Sequence, residues 1–234
     1  MIIVITGATK GIGRAIARNL ADKGHHLALC ARTITDLEDF KDELLTQTRC
    51  GKIMIRSLDV RSRSSLKLFG EDVLREFGYI DVLINNAGIF IPGKFADESS
   101  DAYDRTLETN VHAPYFLTKV FLPSMIAREE GHIINLCSVS SVQPNSNGVS
   151  YAMSKHALLG FGKSLREEVR EYGIRVTNIL PGPTWSSSWE GIDHPEDRLI
   201  NARNVARVVA TSIELDENVV MEEVIIRPVK GDLN

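Results

Sequence analysis

The chain has 234 residues, 43% hydrophobic and 25% charged, with a formal net charge of −4 at pH 7. That length suffices for one large α/β domain with a full core, and the composition excludes a disordered or fibrous protein. The charge balance offers none of the basic footprint that nucleic-acid binding requires, which points to small-molecule chemistry.

In chain order, short apolar runs alternate with longer segments of 3.6-residue periodicity, the pattern of βαβ units and a parallel sheet. The runs predict strands at Ile2-Thr6, His26-Ala31, Lys52-Leu58, Asp81-Asn85, His132-Cys137, Arg175-Leu180 and Glu222-Ile226. Helices are predicted near 12–23, 35–47, 62–76, 101–129, 151–172 and 202–214. Thr35-x-x-Glu38 reads as a capping box, and Gly24 falls where a helix-terminating glycine belongs. No linker or repeat divides the chain. The expected fold is a single Rossmann-type, doubly wound α/β domain over 1–234, a seven-stranded parallel sheet flanked by helices. Two irregular stretches, 88–100 and 181–201, follow strand ends, where such folds place ligands.

Between the first strand and first helix stands TGATKGIG, residues 6–13. Gly7, Gly11 and Gly13 serve either a tight strand-to-helix turn alone or one that also brings backbone close to a pyrophosphate at a helix N-terminus, with Ile12 inside the motif. The second strand ends in LALCART. Where an NAD site usually places an acid for the ribose 2′-hydroxyl, this chain has Ala31 followed by Arg32, and Lys10 adds a cation in the glycine loop. Two cations and no acid there favour a 2′-phosphate, hence NADP(H). Asp36 is read only as favouring its helix dipole.

Cys30, Cys50 and Cys137 are odd in number and lack CxxC spacing, and the six histidines show no HExxH. No disulfide framework and no metal are expected. There is no basic leader and no apolar stretch of about 18 residues, so the expectation is a cytoplasmic protein with no membrane partner.

Tyr151 and Lys155 stand four apart in SYAMSKHALLGF, on one face of a helix. An ammonium beside a phenol favours phenolate, and the tyrosine is expected to titrate below its ordinary value of about 10. The pair does not stand alone. TGATKGIG, Asn85-Asn86-Ala87-Gly88, Asn110 in ETNVHAPYF, Ser138 thirteen residues before Tyr151, the Tyr151/Lys155 pair and PGPT at 181–184 follow one another along the chain. In that order they resemble the short-chain dehydrogenase/reductase family.

The resemblance implies an NADP-dependent oxidoreductase acting on C=O or CH–OH groups, with Tyr151 as proton donor. Ser138 would bond the carbonyl oxygen, and Lys155 would hold the nicotinamide ribose and lower the tyrosine pKa. Asn110 would hold a water that resupplies protons. It places Asp59 and Val60 near adenine, Asn86, Ala87 and Gly88 along the adenosine side, Pro181 and Gly182 beneath the nicotinamide and Thr184 near its carboxamide. Asn85 is read as architectural. It also implies a homodimer or homotetramer built on the helices at 101–129 and 151–172.

Specificity is expected in 88–100, 139–150 and 183–201. The last holds the two tryptophans, Trp185 and Trp189, which serve either to stack on a planar heterocycle or as hydrophobic anchors. The ending VVMEEVIIRPVKGDL and the Trp189-Glu190-Gly191 context resemble the bacterial sepiapterin reductase branch, which implies a pterin side-chain carbonyl as substrate. Asp232 is then either a reader of the pterin's amino-pyrimidine edge or an exposed terminal acid. The alternatives are a 3-oxoacyl-carrier-protein reductase, a broad carbonyl or diketone reductase, and, remotely, a non-catalytic NADP(H)-sensing protein.

Overall fold

A computed structural model of the chain describes residues 1–185 and 198–232. Seven strands form one parallel sheet: β1 Ile2–Thr6, β2 His26–Ala31, β3 Ile53–Ser57, β4 Val82–Asn85, β5 Gly131–Leu136, β6 Ile174–Pro181 and β7 Glu223–Ile226. Their order is β3-β2-β1-β4-β5-β6-β7, with every neighbouring pair parallel. This is the expected doubly wound arrangement. The order reverses at β1, so the carboxyl ends of β1 and β4 diverge around a crevice.

The helices are α1 Gly11–Asp22, α2 Ile34–Gln47, α3 Arg63–Phe77, α4 Ser100–Leu107, α5 Ala113–Arg128, α6 Val149–Val169 and α7 Ala202–Glu214. Central strands read as unbroken apolar runs because both sheet faces are covered. In β1, Ile3 and Ile5 pack with Ile16 and Leu20 of α1, Phe40 of α2 and Val209 of α7. Ile2 and Val4 point the other way, onto Phe69 of α3, Phe121 of α5 and Val169 of α6. Among the described residues no helix is long and apolar enough to cross a membrane.

Two local expectations are corrected. The capping box at Thr35 does not form: α2 begins at Ile34 with Thr33 as its extended N-cap, and no side-chain cap bond is made. The helix predicted over 101–129 is interrupted, α4 passing through a π-helical turn, Glu108–His112, before α5. The residue that would close the α-helical ring on the Asn110 carbonyl is Pro114, which has no N–H to give. Gly24 does end α1: its N–H donates to the Ala21 carbonyl at 2.9 Å and that of His25 to Leu20 at 3.3 Å.

A polar ladder crosses the apolar centre. Asn85 of β4 donates to Asn135 of β5 at 3.0 Å, and Asn135 to Asn178 of β6 at 3.1 Å. These residues are register partners, so each amide meets the next on one face of the sheet. α6 lies directly over them: a Cβ on Gly162 would come within 2.0 Å of Asn178 Oδ1 and 2.9 Å of Asn135 Nδ2.

His132 of β5 is 1% exposed. Its Nε2 shares a 2.8 Å hydrogen bond with the Thr177 hydroxyl, while Nδ1 has no partner. Burial, helped by the Arg175 charge, lowers its pKa to about 3. The unfolded chain therefore binds a proton below about pH 6.5 that the folded chain refuses, so this residue's share of stability falls as pH drops from there toward 3. Urea unfolding at pH 7 and pH 5 is expected to show His132→Gln losing less stability on acidification than the parent, by about 2 kcal/mol. Equal losses would contradict this.

Candidate active site

The glycine turn is built around close contacts. Gly7 has φ +66°, in the left-handed region. A Cβ on Gly13 would lie 2.2 Å from the Gly7 carbonyl oxygen and 2.4 Å from Asn86 Nδ2. Asn86 secures the turn from β4, donating to the carbonyls of Thr6 at 2.8 Å and Gly7 at 3.1 Å. α1 has Lys10 as its N-cap, with no side-chain cap bond and no acid in its first turn. Its N-terminal N–H groups and positive dipole end are thus directed at the crevice with no built-in anion.

That crevice has a volume of about 450 Å³. Of the residues expected to bind cofactor, it brings together Gly7, Lys10, Gly11, Ile12, Gly13, Arg32, Asp59, Val60, Asn86, Ala87, Gly88 and Thr184. Pro181, Gly182, Tyr151 and Lys155 are not in its wall; Pro181 ends β6 and Gly182 follows it, its N–H donating to the Ile226 carbonyl at 2.8 Å. Thr184 bonds back to the Gly182 carbonyl at 2.9 Å. Arg32 and Lys10 line the crevice together with Thr33 and Asp36. Asp36 does more than favour the α2 dipole, for its carboxylate sits 3.6 Å from Lys10 Nζ. Asp59 is bonded by Arg61, which holds its carboxyl below the usual range. A phosphate-bearing dinucleotide fits this set, in which an uncapped helix start and two cations line one cleft.

The chemistry lies just beyond the crevice wall, next to its lining residues Gly88 and Phe90. Ser138 follows β5 as the N-cap of a 3₁₀ turn, its Oγ accepting from Ser140 N–H at 3.1 Å. Tyr151 and Lys155 lie in the first two turns of α6. Lys155 is 5% exposed, and its Nζ donates to the Leu136 carbonyl at 2.8 Å and stands 5.8 Å from the Tyr151 ring centroid. Burial lowers the lysine to about 8. In the chain alone the expected lowering of Tyr151 is not found: burial pushes the phenol up, and the neighbouring Ser138 hydroxyl only partly opposes this. Gly88 closes the corner, where a Cβ would lie 3.4 Å from both Lys155 Nζ and Asn110 Oδ1.

Asn110 is fully engaged. Its Oδ1 accepts from Ile89 N–H at 2.9 Å, and its Nδ2 donates to the Ile89 carbonyl at 3.0 Å and to Ser154 Oγ at 2.9 Å. The side chain clamps the 88–100 loop to α6. Asp232 is not an exposed terminal acid: Oδ2 accepts from Gln143 at 3.2 Å and from Arg227, while Oδ1 has no partner and lies toward Gly182. Trp185 is 50% exposed. Trp189 lies outside the described residues.

The family model for short chain dehydrogenase matches residues 1–197. The chain belongs to that family. This short-chain dehydrogenase is 32% identical to an uncharacterized oxidoreductase of Staphylococcus epidermidis over 228 residues, 97% of each chain. It is 30% identical to the sepiapterin reductase of Chlorobaculum tepidum over 240 residues, covering 99% of this chain and 98% of that enzyme. A solved metagenomic short-chain oxidoreductase in complex with NADP superposes with a TM-score of 0.86 at 31% identity, covering 98% of this chain and 97% of that one. The short-chain dehydrogenase is thus an oxidoreductase.

Sequence reasoning missed Asp36, Phe90 and Arg105 as crevice residues. The loop position of Phe90, two residues past the NNAG motif, was the only signal for it. Gly13→Ala would drive a methyl into the Gly7 carbonyl. Titration of the purified variant with NADPH, followed by intrinsic fluorescence, is expected to show loss of binding with the fold retained by circular dichroism; unchanged affinity would remove the glycine turn from the dinucleotide site.

Proposed function

We propose that the protein is an NADPH-dependent carbonyl reductase, acting on a pterin side-chain carbonyl in the manner of the sepiapterin reductases. The observation that carries the reductase reading is the convergence of Ser138, Tyr151 and Lys155 behind Gly88 and Phe90, which line a crevice that also presents Lys10 and Arg32.

In this reading Arg32 and Lys10 hold the 2′-phosphate, the start of α1 receives the pyrophosphate, and Thr184 meets the carboxamide. Asp59 and Val60 border the adenine, and Asn86, Ala87 and Gly88 line the adenosine side. A bound reduced nicotinamide supplies hydride to the carbonyl carbon. Tyr151 gives its phenolic proton to the carbonyl oxygen, so the product is an alcohol and the residue is left as phenolate. Ser138 donates to the same oxygen and stabilises the charge that gathers there. Lys155, lowered by burial to about 8 and so still mostly protonated at neutral pH, returns a proton toward Tyr151 and bonds the ribose. Because the Asn110 side chain is occupied by Ile89 and Ser154, its backbone carbonyl in the π-helical turn is the group left to hold a water in this relay.

The pterin assignment is supported by similarity to the Chlorobaculum enzyme over nearly the whole of both chains, and by the unpartnered Oδ1 of Asp232 beside Gly182. Trp189 would stack on the ring. Exposed apolar side chains on α4, α5 and α6, Tyr103, Tyr115 and Met153, favour a homodimer or homotetramer. A cytoplasmic location, with its NADPH supply, favours reduction.

The deciding experiment is NADPH oxidation with sepiapterin, small diketones and an acetoacetyl thioester, with NADH as the control. Saturable preference for sepiapterin is expected; turnover of the others with no pterin activity would keep the mechanism and discard the substrate. Tyr151→Phe is expected to lower kcat by about 10²- to 10⁴-fold. Arg32→Ala is expected to cut the NADPH-over-NADH preference roughly 10- to 100-fold, the worth of one charge-assisted phosphate contact; an unchanged ratio would overturn the 2′-phosphate assignment.

A further inference from the structure

Phe90 lies in the loop between β4 and α4. Its ring meets Tyr151 edge-on, with centroids 4.9 Å apart and planes at 66°. The loop is fastened on both sides of that contact. Asn110 holds both backbone groups of Ile89, Gly93 N–H donates to the Asn147 carbonyl at 3.2 Å, and farther along the Glu98 carboxylate accepts from the Ser150 hydroxyl.

The other flank of the ring occupies a slot at Gly148. A Cβ there would come within 2.6 Å of Phe90 Cε2. Gly148 has φ 170° and ψ 65°, and having no side chain it leaves the space that the ring occupies. Phe90 remains 47% exposed and lines the crevice, so it is no core residue; an aromatic ring is being held half in water against one particular phenol.

We infer that Phe90 is a positioning residue for Tyr151, shielding the phenol from water on the substrate side and fixing its ring, and that Gly148 is the slot that admits it. This rests on the reading of Tyr151 as the proton donor. The charged and titratable groups facing the phenol are Lys155 on the same helix and Cys137, next to Ser138 at the end of β5, with Glu98 one residue away on Ser150. None of them changes when Phe90 is shortened; only water access does. Burial holds the phenol up, so hydration lowers its pKa. A proton donor fails once deprotonated, so the basic limb of the reduction profile moves to lower pH.

The test compares the full-length parent with Phe90→Ala, Gly148→Ala and the double variant, by two measurements. One is the pH dependence of kcat/KM for reduction. The other is ultraviolet tyrosinate titration of the cofactor-free protein, with Tyr151→Phe identifying which of the five tyrosines moves. Phe90→Ala is expected to shift both toward lower pH by about 0.5–1 unit. Gly148→Ala, which displaces the ring without removing it, is expected to shift them in the same direction, and to add nothing in the Phe90→Ala background. An unmoved Tyr151 titration in Phe90→Ala, or an equal Gly148→Ala shift with and without Phe90, would overturn the inference. Retention of most turnover by Tyr151→Phe would instead overturn the proton-donor reading, a separable outcome.

Discussion

The site depends on how closely α6 approaches the sheet. A helix behaves as a rod, so the height of one residue sets the height of those two turns away. Gly162 is that residue. With no side chain it lies directly on the Asn135 and Asn178 amides, and the rod carries Lys155 deep enough for its ammonium to reach the Leu136 carbonyl. A methyl group at 162 would lift the helix and take Tyr151 and Lys155 away from Ser138. The amides beneath are satisfied mainly by one another, which lets polar groups occupy the centre of an apolar sheet and fixes the register of β4, β5 and β6.

The same construction reaches across to the dinucleotide end. Two adjacent asparagines divide the work: Asn85 turns into the sheet and starts the amide ladder, while Asn86 turns up and holds the carbonyls of Thr6 and Gly7. One dipeptide thus ties the glycine turn to the strands that present the catalytic hydroxyl. The relative placement of the dinucleotide crevice and Tyr151 is set by backbone and amide contacts with little rotamer freedom, as an oriented transfer between two bound groups requires.

What could be read from the sequence was whatever local periodicity or motif order controls. All seven strands and the ends of α1 and α7 follow from apolar runs and from Gly24. The break at Glu108–His112 is missed by periodicity, because the apolar pattern continues through it; its signal was the missing N–H of Pro114. Thr35 misled because a capping box is a local preference, whereas α2 starts where the short turn after Arg32 delivers the chain. At the site, the spacing of Tyr151 and Lys155 showed that the lysine shares a helix face with the phenol but not how dry the phenol is, so the direction of its pKa was misjudged. The Lys10–Asp36 pair, the Gly148 slot for Phe90 and the anchoring of Asp232 by Gln143 and Arg227 all join segments that only the fold brings together.

The strand order also bears on how the chain is made. β1 precedes both of its neighbours along the chain yet lies in the middle of the sheet, with β2 on one side and β4 on the other. Until residues 82–85 have been added, one edge of this fully buried strand has no partner. The ribosome-bound nascent chain therefore carries an open, hydrophobic strand edge from the emergence of β1 until that of β4, the stage at which such a chain most needs shielding from its neighbours.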